Sequence, residues 1–205
     1  MVRIVAIADT HLYHDGLQVP QGDILVHAGD LTRRGTIDEL RRAHDFLAVQ
    51  PHPYKLIIAG NHELCLERDA WAARQLLTDV TYLEDQSIEL EGLTFYGTPW
   101  QPAFHGWAFN VPRGPQLAER WSRIPEHTDV LSTHGPPMGI GDRVQEHEHV
   151  GCADLLHRVL QVRPRLHLFG HIHGDGGRWQ LGPTTFANVT TDEGSRSASV
   201  FDLEA

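Results

Sequence analysis

Five apolar, β-branched runs in this chain each stop at a residue able to ligate a metal. Val2–Ala8 ends in Asp9-Thr10-His11, Ile24–Ala28 in Gly29-Asp30, and Leu56–Ala59 in Gly60-Asn61-His62-Glu63. Val130–Thr133 ends in His134-Gly135, and Leu166–Phe169 in Gly170-His171-Ile172-His173. Short runs of this composition read as strands. Ligands of sheet proteins collect beyond the carboxyl ends of parallel strands, so these tips are expected to share one pocket. The flanking Gly29, Gly60, Gly135 and Gly170 are expected to let the backbone turn sharply there. A lone D-x-H or H-x-H says little; the joint pattern needs five coincidences to arise by accident.

The remaining strand signals are Ser87–Leu90 and Leu93–Tyr96, which form a hairpin around Glu91-Gly92, then Thr184–Val189 and Ser197–Leu203. Thr36 followed by Glu39 is a capping box that opens a helix carrying Ile37, Leu40, Ala43 and Leu47 on one face. Further helices are predicted from about Asp69 to Leu77, from Pro115 through Leu117, Trp121 and Ile124, and from Ala153 to Val162 before Pro164. This order predicts one layered α/β domain over residues 1–205, with parallel and antiparallel strands together.

The charge balance limits the partners. Against 17 basic side chains stand 27 acidic ones, a formal charge of -10. That disfavours gripping a long nucleic acid, which needs a basic stripe, and leaves room for a small anionic substrate held by local cations. Cys65 and Cys152 have no metal-ligand spacing and are expected to be reduced and partly buried. Met1–Ala8 is too short for a signal-peptide core, and no apolar stretch reaches the roughly 20 residues of a membrane span. A cytoplasmic protein is the expectation.

Imidazoles with carboxylates and an amide oxygen, and no thiolate, suit Mn, Fe, Zn, Co or Ni. The set Asp9, His11, Asp30, Asn61, His134, His171 and His173 is too large for one ion that must also hold substrate. It suits two divalent ions bridged by a carboxylate, the arrangement that clamps a phosphate and generates hydroxide near neutral pH.

The ordered blocks D-x-H, G-D, G-N-H-E, H-G and G-H-x-H resemble the calcineurin-like metallophosphoesterase superfamily over Asp9–His173. A closer likeness, carried also by Tyr96-Gly97-Thr98-Pro99-Trp100, Pro112-Arg113-Gly114 and Thr133–Pro137, is to its small single-domain metallophosphoesterase-domain-containing branch. The resemblance implies a two-sheet mixed β sandwich flanked by helices. It implies one metal on Asp9, His11 and His173, a second on Asn61, His134 and His171, and Asp30 as the bridge. His62 is implied as the catalytic residue facing the scissile phosphate, and manganese as the first choice in vitro.

Other residues have blander expectations. Asp23, His27 and His167 read as structural; His14, His44, His52 and His157 fall on loops or helix surfaces without a nameable partner. Glu146-His147-Glu148-His149 reads as an exposed loop. Arg113 is the candidate substrate contact outside the metal set, since a guanidinium forks onto phosphate, with a packing role equally open. Trp100 and Trp107 are candidates for a pocket wall or a covering minicore. The protein-phosphatase branch has Asp-Arg-Gly after the bridging aspartate, its arginine binding phosphate. Here Arg33-Arg34-Gly35 stands there, so Arg34 could mimic that arginine while Arg33 replaces the acidic residue, which speaks against a phosphoprotein substrate.

The leading expectation is a phosphodiesterase acting on small phosphodiesters. The family likeness suggests nucleotide-derived ones such as 2′,3′-cyclic nucleotides. A phosphomonoesterase with the same centre, and a nucleotide-binding or scaffolding protein with little turnover, are the alternatives.

Overall fold

A computed structural model describes residues 1–205. The chain begins with β1 (Val2–Ile7) and β2 (Ile24–Ala28), then α1 (Ile37–Ala48) and β3 (Tyr54–Ile58). Two short helices, α2 (Leu64–Arg68) and α3 (Ala70–Gln75), lead to β4 (Thr81–Tyr82) and the hairpin β5 (Gln86–Leu90) and β6 (Leu93–Thr98). After β7 (Gln101–Pro102) and β8 (Asn110–Val111) come α4 (Pro115–Ser122), β9 (Val130–Thr133), β10 (Arg143–Gln145) and β11 (Glu148–His149). The last part runs α5 (Ala153–Val162), β12 (Leu166–Phe169), β13 (Gly177–Leu181), β14 (Thr184–Asn188) and β15 (Ser199–Leu203).

Two sheets form from these strands. The first has the order β15-β1-β2-β3-β4, parallel except for β15; the second has the order β13-β14-β12-β9-β6-β5, parallel in its middle and antiparallel at both edges. One face of each sheet supplies the shared core. Ile4, Ala6, Val26, Leu56 and Ile58 meet Phe95, Val130, Leu166, Leu168 and Ala187. The outer face of the first sheet, with Val5, Ile7, Leu25 and Ile57, is covered by Ala43 and Leu47 of α1. The outer face of the second, with Tyr96, Leu131, Phe169 and Phe186, is covered by Leu117 and Trp121 of α4 and Leu155 and Val159 of α5. The central strands are therefore buried on both sides and read as unbroken apolar runs. Each large side chain so buried contributes about 1.5–3 kcal/mol.

The capping box forms in an altered way. Thr36 Oγ1 accepts from the Glu39 N–H at 3.2 Å, while the Glu39 carboxylate accepts from the N–H groups of Arg33 and Arg34 instead of that of Thr36. The helix expected over Asp69–Leu77 is shorter, Ala70–Gln75, because Asp69 leaves helical conformation (φ -132°) and separates it from the unforeseen α2. β13 was also unforeseen, since it is short, begins at a glycine and is mostly exposed.

Three histidines expected at the surface are buried instead. His14 stacks on Phe46 at 4.3 Å, His44 lies 3.3 Å from Asp79, and His52 Nε2 donates to Pro20 O at 2.9 Å. His157 is exposed, as is the ribbon carrying Glu146–His149. No helix is long and apolar enough to cross a membrane.

His27 and His167 occupy equivalent places, one in each sheet, each with Nε2 on the threonine of a neighbouring strand end: Thr10 at 3.0 Å and Thr133 at 2.9 Å. Burial pushes both imidazoles down to about 3. Between pH 6.5 and 3 the unfolded chain therefore binds protons the native state refuses, and stability falls as pH falls through that window. Each histidine contributes a slope of about 1.4 kcal/mol per pH unit. His167→Gln is expected to lose one such increment, measured as a shallower dependence of urea-unfolding free energy on pH from about 6.5 to about 4.5. A slope equal to that of the parent would show that His167 takes up its proton in the folded state.

Candidate metal centre

The carboxyl ends of β1, β2 and β3 in one sheet and of β9 and β12 in the other lie along the same edge of the sandwich. Asp9, Asp30 and His171 leave their strands with left-handed backbone, φ 54°, 58° and 70°, conformations that Asp and His tolerate better than most residues. Three of the four flanking glycines are fixed by close approach. A Cβ on Gly60 would fall 2.3 Å from Asp30 Oδ1, one on Gly170 2.5 Å from Asp9 Oδ2, and one on Gly29 2.5 Å from His134 Nδ1. Only Gly29 among the flanking glycines has positive φ, and a Cβ on Gly135 would make only ordinary contact, 3.7 Å from the Gln101 side chain, so glycine's special backbone freedom is used at one of the four.

Hydrogen bonds then lock the two sheets together at this edge. The His171 N–H donates to the Asp9 carboxylate at 3.0 Å, and His134 Nδ1 donates to Ala28 O at 2.9 Å. His62 N–H donates to Asp30 Oδ1 at 2.9 Å.

The imidazoles share one orientation. His11 Nδ1 lies 2.9 Å from Thr32 O and His62 Nδ1 lies 2.5 Å from Arg33 O. A carbonyl only accepts, so in His11, His62 and His134 Nδ1 carries the proton and Nε2 turns its lone pair or a second proton inward. His173 Nδ1 faces Asp192 Oδ1 at 3.3 Å in the same manner. Inside, Nε2 of His11 and Nε2 of His173 stand 3.3 Å apart, and His134 Nε2 is 3.0 Å from Asn61 Oδ1 and 3.2 Å from Asp30 Oδ2. Lone pairs converging at such distances call for cations between them. The donor atoms fall into three groups: Asp9, His11 and His173; Asp30, His134 and His171; and His11, Asp30 and His62. The residue set therefore fits a centre of divalent metals.

The electrostatics agree. Burial pushes the Asp9 carboxyl up. Burial acts on Asp30 in the same sense, but the nearby His134, His11 and His62 outweigh it and hold Asp30 well below the usual carboxylate range. Burial presses His134 down, and Asp30 with Asp9 more than reverses this, raising it. Burial drives His171 down to about 3, leaving the neutral, ligating form.

A family model described as calcineurin-like phosphoesterase matches residues 2–175 of the chain. The chain belongs to this family. It is 41% identical to human metallophosphoesterase domain-containing protein 1 over 92% of its own length, and it spans 65% of that relative. It is 40% identical to a UPF0046 protein of Caenorhabditis elegans, covering 92% of this chain and 69% of the relative. Among solved structures, TT1561 of Thermus thermophilus superposes with a TM-score of 0.62 at 12% identity, covering 99% of each chain. That likeness shows the fold.

In this calcineurin-like phosphoesterase the sequence reading left Glu63 without a role. Its carboxylate, fully buried, accepts from the N–H groups of Asp30, Gly60 and Thr32 at 2.6–2.9 Å and from Thr32 Oγ1 at 2.9 Å. It thereby ties the loop after β2 to the loop after β3. Its place beside Asn61-His62 was the available signal. Asp192, facing His173, had none.

Arg113 is not among the assembled residues. Its guanidinium donates to Gly151 O at 2.7 Å and Val150 O at 2.5 Å, bracing the segment after β11, and it lines a neighbouring cavity of about 480 Å³. Trp100 is packing: Nε1 donates to Asp85 at 2.9 Å and Arg120 covers its ring at 3.8 Å. Trp107 instead lines the metal-side cleft of about 820 Å³, its ring 4.1 Å from that of His62.

Glu63→Gln replaces one acceptor oxygen by an amide N–H₂ that faces backbone donors. The expected cost is about 3 kcal/mol in stability by urea unfolding, together with reduced metal content by elemental analysis. A variant with parental stability and metal content would remove the clamp from the account of the site.

Proposed function

We propose that this chain is a metal-dependent phosphoester hydrolase with a dinuclear centre, acting on small phosphodiesters such as nucleoside 2′,3′-cyclic phosphates. One observation carries the dinuclear reading: Asp30 Oδ2 lies 3.6 Å from His11 Nε2 and 3.2 Å from His134 Nε2, between the two groups of ligand atoms. Asp9, His11 and His173 would hold one ion, Asn61, His134 and His171 would hold the other, and Asp30 would serve both. When bound, such a pair of ions neutralises the phosphate oxygens and lowers the pKa of water to near neutrality.

The chain's own groups supply position and a proton. Asp9 and Asp30, fixed by backbone N–H groups, set the depth at which a phosphate can sit. His62 Nδ1–H is held by Arg33 O, so Nε2 is aimed into the cleft, where a second ring proton, carried on Nε2, passes to the leaving alkoxide as the P–O bond breaks. For a 2′,3′-cyclic ester, the oxygen of water bonds to phosphorus and the bond from phosphorus to one ribose oxygen breaks. That oxygen leaves with the proton from His62, and the proton lost by water replaces the one His62 gave, leaving a monoester. Phe104 and Trp107 on the cleft wall offer faces for a base or another ester substituent, which supports a diester over a bare monoester.

Asp30→Asn is expected to lose at least one equivalent of metal by elemental analysis, with most of the activity towards bis(p-nitrophenyl) phosphate. Full metal content with near-parental turnover would end the bridging role. Matched diesters and monoesters assayed on the parent with Mn²⁺ decide the substrate class; a consistent preference for monoesters would make the chain a phosphatase.

His62→Ala separates proton transfer from metal binding. It is expected to keep both metals and lower kcat by about 10²–10⁴ on alkyl diesters. The loss is expected to be smaller on nitrophenyl esters, whose leaving group needs no proton. Loss of a metal instead would make His62 a ligand, as its proximity to His11 and Asp30 permits.

A further inference from the structure

The chain carries a formal charge of -10, yet the mouth of the metal-side cleft gathers three exposed arginines, Arg33, Arg34 and Arg42. None of the three is in an ion pair, whereas Arg3, Arg41, Arg74, Arg123, Arg143 and Arg196 each face a carboxylate. Asp15, Glu39 and Glu193 line the same cleft without pairing with these guanidiniums, and the Glu39 carboxylate serves the backbone N–H groups of Arg33 and Arg34. Three side chains are thus left with forked donors that no carboxylate or carbonyl of the chain accepts.

Their mounting is rigid. The Arg33 carbonyl holds His62 Nδ1, Thr32 is held by Glu63, and Gly35 has left-handed backbone (φ +67°) where a Cβ would fall 2.3 Å from His62 O. The Arg33 guanidinium stacks 5.0 Å over the Tyr13 ring, and Arg42 projects from α1 into the same rim. The ligand atoms lie deeper: Asp9, Asp30 and His134 are at most 2% exposed. A phosphate bound among them leaves the arginines at the rim for a different group of the same molecule.

We propose that Arg33, Arg34 and Arg42 seat a second, non-scissile phosphate, so that the preferred substrate is a small phosphodiester bearing an additional phosphate. Guanidinium forks match phosphate oxygens in pairs, and charge-assisted bonds of this kind are the stronger ones. The inference rests on the phosphodiesterase reading and sharpens it: a nucleoside 2′,3′-cyclic phosphate that also carries a 5′-phosphate fits, with the cyclic ester at the metals and the 5′-phosphate at the rim.

The test compares adenosine 2′,3′-cyclic phosphate with its 5′-phosphorylated counterpart on Mn²⁺-loaded protein at low ionic strength. The parent is expected to favour the 5′-phosphorylated ester by about tenfold or more in kcat/KM, chiefly through KM, one tenfold step corresponding to about 1.4 kcal/mol. Arg33→Gln/Arg42→Gln is expected to bring the ratio close to one, and raised salt to shrink it in the parent. A ratio near one in the parent, or one that survives in the double variant, overturns the seat. If neither ester is hydrolysed, the phosphodiesterase reading fails separately, and calorimetric titration of the same pair still decides the rim. About tenfold tighter binding of the 5′-phosphorylated compound, abolished in the double variant, upholds the seat; equal affinities in the parent overturn it.

Discussion

Moving the Asp30 carboxylate out of water costs several kcal/mol, and the architecture around the cleft offsets that cost from two sheets at once. His134 arrives from the second sheet, His11 and His62 from the loops of the first, and together they keep the buried group ionised. Each imidazole is in turn oriented by a backbone carbonyl: Ala28, Thr32 or Arg33. The glycines at 29 and 60 follow from the same requirement, because a side chain at either would occupy the space of His134 or Asp30. Strand order, glycine placement and imidazole orientation are in this sense one solution to the burial of one charge.

What the sequence revealed and what it hid divide along the same line. Parallel strands covered on both faces leave continuous apolar runs, and the abrupt change to Asp9, Asp30, Asn61, His134 and His171 marks where each run leaves the sheet. That signal is local, so both the strands and the convergence of their tips were legible. Glu63 was not, because a carboxylate that serves backbone N–H groups leaves no periodicity. Arg113 shows the opposite case: its residue type suits phosphate or packing alike, and the carbonyls it binds lie 37 and 38 residues further along the chain, where no local pattern reveals them. Of the rim arginines, Arg34 stood near the strand tip at Asp30 in the sequence, whereas Arg42 joins it only through the turn into α1.

The cleft joins two kinds of wall. Its floor consists of buried donor atoms tied to the strand ends; its rim combines Phe104 and Trp107 with exposed cations. Buried ligands fix the chemistry, while exposed side chains change at little cost to the fold. Specificity in such a molecule is therefore free to drift at the rim while the floor stays constant.

The bond from the His171 N–H to the Asp9 carboxylate joins residues 162 positions apart, nearly the length of the chain from the first strand to the last loop of the centre. Closing a loop of that span is entropically costly and comes after local pairing in folding. Neither sheet alone assembles the whole ligand set: His11, Asp30 and His62 gather at the ends of the first sheet, whereas His134, His171 and His173 come only from the second. Completion of the donor set is accordingly tied to the docking of the two sheets, and a cation held by donors of both would act as a staple that slows their separation.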